Sequence, residues 1–528
     1  MKAHLLFADR DFDPDASVRV DAVALTEDLG LEALFTAMAR SDAFILEAVP
    51  KVVLAGLTSP AEILYRQRIL TDCAAHPAVI RELYDLVGRT LAAEHKIWGG
   101  LLDDYAEGLH HRSLAVLELL SAQLRKLRRI ADRQAGKFAS EGLTRLFGTL
   151  SDQLDDEYLR TLDTHLRRLS FKDGVSMGAV LGDATGSPSY RLLEPRPATW
   201  YRAVADRIGD VRTVDTSPRR PSRDPRLAIS PILALMPLLA QRPDGRLESS
   251  TAEDRARAMS DLKGRGIGAV AISLARAADS ILEFLRDLRF EAAFYVGCLN
   301  LRERLAEIGR PVCLPEPLPA GVPMLRARGL YDACLGLTSK GGVVANDLDA
   351  DGKSLVMVTG ANRGGKSTFL RSVGQAQVLM QAGMFVPASA CRASVCDGVL
   401  THFKREEDAT MRSGRLDEEL SRMSAIIDAA RPGSLVLANE SFASTNEREG
   451  SEIARQIVRA LVESGVRVMY VTHLYDLAHG FFVQNLDSAL FLRAAREDDA
   501  RRTFKVVAGE PLPTSYGEDL YREIFGGG

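Results

Sequence analysis

The sequence predicts a mixed fold, an all-α region over roughly the first 325 residues followed by an α/β region to residue 528. Three observations predict it. Leucines recur at three- and four-residue spacing through the first third of the chain, as in helices that bury one face. A glycine-rich turn at 360–368 stands between an apolar run and a helix-forming stretch. Two further apolar runs, 434–440 and 468–473, end in polar residues, as strands of a parallel sheet do at a ligand-binding edge.

Composition bounds the class. At about 150 residues per domain, 528 residues suggest three to four domains. Hydrophobic residues at 46% and charged residues at 26% exclude disorder, collagen-like repeats and a disulfide scaffold, and 6% aromatics weigh against a large β sandwich. The net charge of -4 means that any nucleic-acid role must rest on local basic patches. Met1–Arg10 holds no apolar h-region before acidic residues arrive, which predicts no secretory signal. The longest apolar stretch, Leu227–Ala240, contains Pro231 and Pro237 and falls short of the roughly 20 residues of a membrane span. Six scattered cysteines, of which only Cys391 and Cys396 lie close, predict free thiols in a reducing cytoplasm and no zinc site.

The elements follow in order. Residues 1–76 read as helices, with Leu29, Leu31, Leu34, Phe35 and Met38 on one face. Over 77–174, Leu117, Leu120, Leu124, Leu127 and Ala131, then Leu159, Leu162, Leu166 and Leu169, predict long helices packed as a coiled-coil pair, or an ordinary bundle. Gly142 and Gly148, with Ser151-Asp152 as a start signal, predict the reversal between them. Arg125, Lys126, Arg128 and Arg129 form the densest basic run on these helices, read as a solvated face or as a phosphate-contacting patch. Val175–Leu193 predicts a β-hairpin and 195–226 a Pro- and Arg-rich linker; helices resume over 227–325, and Pro311, Pro315, Pro317 and Pro319 punctuate the passage into a last domain, 326–528.

Leu355–Thr359 followed by Gly360, Ala361, Asn362, Arg363, Gly364, Gly365, Lys366, Ser367 and Thr368 fits the P-loop pattern G-x-x-x-x-G-K-[ST] in its strand–turn–helix context. Glycines let backbone N–H groups approach phosphate, and a helix N-terminus favours the anion. Lys366 then meets the β- and γ-phosphates of ATP and the Ser367 hydroxyl ligates Mg²⁺. Glu440, ending the run Ser434–Asn439, is the candidate general base that polarises the attacking water. His473, ending Val468–Thr472, is the candidate γ-phosphate sensor or water-positioning group.

These residues carry a resemblance. Val343–Phe525 resembles the ATPase domain of the MutS family, an ABC-type ATPase, through Asn346-Asp347, the P-loop with Asn362, Gly383–Ala388, Glu440, Thr445, Gly450, Thr472-His473 and Ser515-Tyr516-Gly517. Glu62-Ile63, Arg66-Gln67 and Ala293–Tyr295 are similar to the family's core and lever helices, which makes 77–174 lever-like. The resemblance implies a homodimeric ATPase clamp on DNA, with other repair proteins as partners and ATP and Mg²⁺ as cofactors. It also implies nucleotide contacts by Asn346 and, from the partner, a serine of a signature segment; Ser413 in Thr410–Glu419 is the candidate, although the usual Ser-Thr-Phe text is absent. Asn439 stands where the family has an Mg²⁺-associated Asp, which predicts a water-mediated contact, weaker Mg²⁺ affinity and slow turnover. Glu440 would reach the metal through water as well, and Arg363 replaces an apolar residue.

No Phe precedes a Glu by two positions, and core-like text begins near residue 20, so a short form without the mismatch-reading module is expected. The nuclease extension of another branch is likewise not expected. The alternatives are a junction-selective DNA-binding ATPase and an ATP-gated protein scaffold. A transporter ATPase is disfavoured, because no Leu-Ser-Gly-Gly-Gln signature is present.

Overall fold

The structure, a computed structural model, describes residues 1–15, 21–97, 106–170, 176–180, 189–193, 252–339, 342–361, 363–405, 414–496 and 502–512. Asn362, Ser413, Ser515–Gly517, the linker 195–226 and the apolar stretch Leu227–Ala240 lie outside the described residues. The fold is mixed helix and sheet, and it divides into two compact units. One holds residues 1–3, 82–138 and 144–289; the other holds 4–81, 139–143 and 290–528.

Residues 1–15, expected within a helical stretch, form no helix, and from Ala22 to Leu169 the described residues are mainly helical: α1 (Ala22–Leu29), α2 (Leu31–Ala39), α3 (Ala43–Ala55), α4 (Pro60–Ala75), α5 (Pro77–Glu94), α6 (Ala106–Gln134), α7 (Glu141–Gln153) and α8 (Asp156–Leu169). Their starts follow capping chemistry: the Asp21 and Asp42 carboxylates accept from the first free amides of α1 and α3.

In the first unit α6 and α8 pack through the leucine seam. Leu117, Leu120, Leu124, Leu127 and Ala131 are buried, as are Leu159, Leu162, Leu166 and Leu169. The Ser121 hydroxyl donates to Asp163 at 2.8 Å and Arg128 to the Leu154 carbonyl at 3.1 Å, so partner numbers fall as α6 advances and the helices run antiparallel. The predicted reversal is corrected. Gly142 and Gly148 lie inside α7, whose Leu143, Leu146, Phe147 and Leu150 are buried. The start signal of α8 is Asp155, which accepts from the Tyr158 amide at 2.7 Å, in place of Ser151-Asp152. Four apolar residues at helical spacing outweigh two glycines, each costing about 1 kcal/mol in a helix.

Strands β1 (Ser176–Val180) and β2 (Ser189–Leu193) pair antiparallel where the hairpin is expected. Among the described residues of the stretch expected to be helical over 227–325, one helix is present, α9 (Ala252–Glu307), and the expectation is corrected beyond it, where the Pro-punctuated chain forms strand in place of helix at Glu316–Leu318.

The second unit carries two sheets. Strands β3 (Glu316–Leu318), β4 (Leu325–Leu330), β5 (Asn346–Asp349) and β7 (Ala390–Ser394) form one, in the order β3-β7-β4-β5. Strands β6 (Leu355–Thr359), β8 (Val399–Phe403), β9 (Leu435–Asn439), β10 (Arg467–Val471), β11 (Ala489–Arg496) and β12 (Arg502–Ala508) form the other. Its order is β12-β11-β6-β10-β9-β8, parallel from β11 to β8, with β12 antiparallel at the edge. The unit also holds α1 to α4 and the helices α10 (Ala333–Thr338), α11 (Lys366–Gln381), α12 (Arg415–Ala429), α13 (Glu447–Glu463) and α14 (Tyr475–Phe482). β6, β8 and β10 are buried at every position, as expected of parallel strands covered on both faces.

α11 is buried nearly throughout, and its three glutamines satisfy carbonyls at element ends and in loops that would otherwise be orphaned. Gln375 donates to the Leu29 carbonyl at 3.0 Å, Gln377 to Ser394 at 3.0 Å, and Gln381 to Leu57 at 3.0 Å and Cys396 at 2.9 Å. Two distant segments of the family resemblance meet beside it. The fully buried Arg66 donates to the carbonyls of Leu6 at 2.9 Å and Ala382 at 3.2 Å. Gly383 has φ +82°, and a β-carbon there would strike the Arg66 side chain at 2.5 Å. Tyr295 closes the same core by donating to the Leu5 carbonyl at 2.5 Å.

Candidate nucleotide site

Strand register assembles the site. β10 lies between β6 and β9, with Val471 opposite both Val358 and Asn439, so the carboxyl ends of three parallel strands come level. The turn after β6, the residues after β9 and those after β10 therefore converge, as at the ligand edge of an open α/β sheet.

The turn after β6 is built by close approach. Gly360 has φ +113° and a β-carbon on it would meet the Ala494 backbone at 3.0 Å; Gly364 leaves no room beside the Ala361 carbonyl, at 2.8 Å. Gly365, at φ +90°, is the N-cap of α11 and delivers Lys366 as its first residue. Lys366 is buried and donates to the carbonyls of Gly360 at 2.8 Å and Ala361 at 3.1 Å, with Glu440 at 3.8 Å. Burial pushes its ammonium below the ordinary lysine value, and Glu440 opposes that. Ser367 donates to Asn439 Oδ1 at 2.9 Å.

Glu440 follows β9 in a left-handed backbone, φ +56°. Its carboxylate takes a short hydrogen bond from His473 Nδ1. Burial works to raise the Glu440 carboxyl, but the His473 bond and charge and the Lys366 charge hold it below the usual range. His473 is raised, chiefly by that same bond, against its own burial. Asn346 is placed at the far wall. Its side-chain oxygen accepts from the Val506 amide at 2.8 Å and its amide donates to the Phe504 carbonyl at 3.3 Å, tying β5 to β12.

Asn346, Arg363, Gly364, Gly365, Lys366, Ser367, Thr368 and Glu440 line one cavity of about 500 Å³, with Tyr331, Val343 and Phe504 among its other walls. Asn439 and His473 join this group through their hydrogen bonds to Ser367 and Glu440. A hard cation takes oxygen ligands. Ser367 would offer Mg²⁺ a neutral hydroxyl beside the nucleotide phosphates and Asn439 a neutral amide, so the set fits the ion loosely, with the Glu440 carboxylate in the same cavity. Among the described residues no cluster of three or more His, Cys, Asp or Glu stands ready for a metal.

Two supports stand behind these groups: His402, which no sequence motif marks, and Gly450, which belongs to the resemblance. His402, at the end of β8, is fully buried and bonds Ser441 Oγ through Nδ1 at 2.6 Å and the Glu419 carbonyl through Nε2 at 3.0 Å. It thus clamps the residue after Glu440. Gly450 is the second: a β-carbon there would overlap the carbonyl of Phe442, itself left-handed at φ +61°. A histidine in the apolar run Val-Leu-Thr-His-Phe, buried on both faces, is the one signal that marked the clamp.

The four basic residues of α6 differ in their partners. Arg125 pairs with Asp163, and Arg128 pairs with Asp132 at 2.8 Å and donates to the α7–α8 turn. Lys126 and Arg129 are exposed and line a groove with Arg89 of α5.

Comparisons with known proteins bear on both halves of the chain. The family model described as "MutS2 N-terminal domain" matches residues 58–308, and the one described as "MutS domain V" matches 356–522. The chain belongs to the MutS family. "DNA mismatch repair protein Msh6" of Gallus gallus is 31% identical over 233 residues, 40% of this chain and 17% of that protein. "DNA mismatch repair protein MutS 2" of Haloarcula marismortui is 32% identical over 183 residues, 34% of this chain and 19% of that protein. "DNA mismatch repair protein MutS" of Desulforamulus reducens is 36% identical over 194 residues, 33% of this chain and 22% of that protein. The matched part of this MutS-family chain thus spans about a fifth of each of these relatives. No helix among the described residues is long and apolar enough to cross a membrane.

Proposed function

We propose that the chain is an ATP-hydrolysing member of the MutS family that couples nucleotide turnover to contact with DNA. The observation that supports this reading best is the convergence of Lys366, Ser367, Asn439, Glu440 and His473 at level carboxyl ends of three parallel strands. In this reading the P-loop amides from Gly360 to Thr368 cradle the phosphates, with Asn362 among them, and Lys366 turns its charge toward the β- and γ-phosphates. Glu440, ionised throughout the neutral range, takes a proton from the attacking water, while His473 fixes the other carboxylate oxygen. Ser367 would hold Mg²⁺, which when bound would supply charge neutralisation to the phosphates. Asn346 closes the nucleotide's far side, and Ser413 of a second copy reaches the γ-phosphate in a homodimer.

DNA contact in this reading is made through phosphate, by residues of the helical region. Arg125 and Arg128 are engaged within the protein, so Lys126 and Arg129, with no ion-pair partner among the described residues, are the two left for phosphate. Such contact is salt-dependent and weakly sequence-specific.

The test is ATP hydrolysis by wild type and Lys366→Ala, alone and with homoduplex, mismatched or branched DNA at fixed salt. Hydrolysis that needs Lys366 and changes with DNA is expected. Stimulation confined to branched DNA favours the junction-selective form, and hydrolysis indifferent to every DNA, without binding at low salt, favours a protein scaffold. Hydrolysis undiminished in Lys366→Ala overturns the reading.

A further inference from the structure

Arg363 stands inside the phosphate turn, where it holds a left-handed backbone at φ +59° that disfavours any side chain beyond glycine. It is exposed, lines the same cavity as Lys366 and Ser367, and has no ion-pair partner among the described residues. The cavity's charges do not otherwise favour a cation. Of its two lining carboxylates, Asp332 is committed to Arg371 at 2.8 Å and Gln375 at 2.8 Å, and Glu440 to His473 and Lys366. Beside Ser367, the position that would add a carboxylate is the neutral Asn439, whose oxygen already accepts the Ser367 hydroxyl proton at 2.9 Å. Among the described residues that line the cavity, the uncommitted charge is thus a guanidinium, and a planar guanidinium fork binds phosphate oxygens in pairs.

We propose that Arg363 is a phosphate ligand that lets this site hold a nucleoside triphosphate without a divalent cation, leaving Mg²⁺ to act in hydrolysis. The proposal rests on the nucleotide reading above. Arg363 supplies in binding the countercharge that a metal held by an acidic pair would otherwise bring, and the neutral Asn439 removes the acid that would repel phosphate when no metal is present. Asn439 and Arg363 act in the same direction, so each substitution alone should make binding more dependent on Mg²⁺.

The experiment is an equilibrium titration with N-methylanthraniloyl-ATP, in EDTA and in Mg²⁺, of wild type, Arg363→Leu, Arg363→Lys, Asn439→Asp and Lys366→Ala. Wild type should bind with a Kd that differs by less than about threefold between the buffers, a gap well under one tenfold step. Arg363→Leu should lose about tenfold or more in EDTA and much less in Mg²⁺, and Arg363→Lys should recover part of that loss. Asn439→Asp should weaken binding in EDTA alone. A wild type that binds only with Mg²⁺, or an Arg363→Leu variant that is unchanged or falls equally in both buffers, overturns the proposal and leaves the nucleotide reading standing if Lys366→Ala abolishes binding. No binding by wild type in either buffer overturns both. Arg363 is exposed, so its variants should keep the wild-type circular dichroism spectrum.

Discussion

Glu440 owes its place to groups that do no chemistry themselves. Its left-handed backbone is a strained state of order 1–3 kcal/mol that only surrounding contacts sustain. His402 is the nearest of these, held to Ser441 and to the Glu419 carbonyl on α12. Burial, with the Arg422 charge, pushes its imidazole down to about 4. An unfolded histidine takes its proton near 6.5, so stability that is full above that pH is lost as the pH falls toward 4. Wild type should therefore lose about 2 kcal/mol more than His402→Gln between pH 7 and pH 5 in urea unfolding. His402→Gln should also lower kcat with little change in KM for ATP, because the Ser441 clamp is weakened while the phosphate turn is intact. Equal pH dependence of the two proteins would remove His402 from this role.

At the scale of elements, much was legible and the rest had identifiable reasons. The P-loop strand and the two acid- and histidine-bearing strands were readable because parallel strands buried on both faces are unbroken apolar runs, as in Leu355–Thr359 and Leu435–Ala438. The leucine seam of α6 and α8 was readable from spacing. Helix α7 was misread as a turn because Gly142 looks like a breaker, whereas it is a packing glycine, with Tyr65 Oη 2.8 Å from where a β-carbon would stand. Asp163, which engages Arg125, could not be matched to it from sequence, since the pairing depends on an antiparallel register set by α7. The strand β8 was missed because one histidine interrupts its apolar text. The start of α13 makes a prediction at this scale. Gly450→Ala would push a methyl group into the Phe442 carbonyl, and overpacking of this kind costs about 1–3 kcal/mol. A lower Tm together with a loss of ATP hydrolysis larger than that of an exposed α13 variant such as Arg459→Ala is expected; a Tm and rate equal to wild type would show that the turn carries no such constraint.

At the scale of the whole molecule, a net charge of -4 conceals where phosphate can be met. The four basic residues of α6 share a sequence run but not a fate, and the unpaired pair should carry the DNA contact. Each phosphate contact adds about 0.9 to the slope of log K against log salt on duplex DNA. Lys126→Ala with Arg129→Ala should thus flatten that slope by about 2, while Arg125→Ala should act mainly by lowering stability through the loss of its bond to Asp163. An unchanged slope would move the DNA contact elsewhere in the chain.

In the proposed function the converged strand ends hydrolyse ATP with Glu440 as the base. Glu440→Ala tests it most directly, with nucleotide affinity and single-turnover hydrolysis measured on the same preparation. ATP affinity should stay within about threefold of wild type and hydrolysis should slow by about 10² or more, the contribution of a positioned general base. Hydrolysis at the wild-type rate would contradict it.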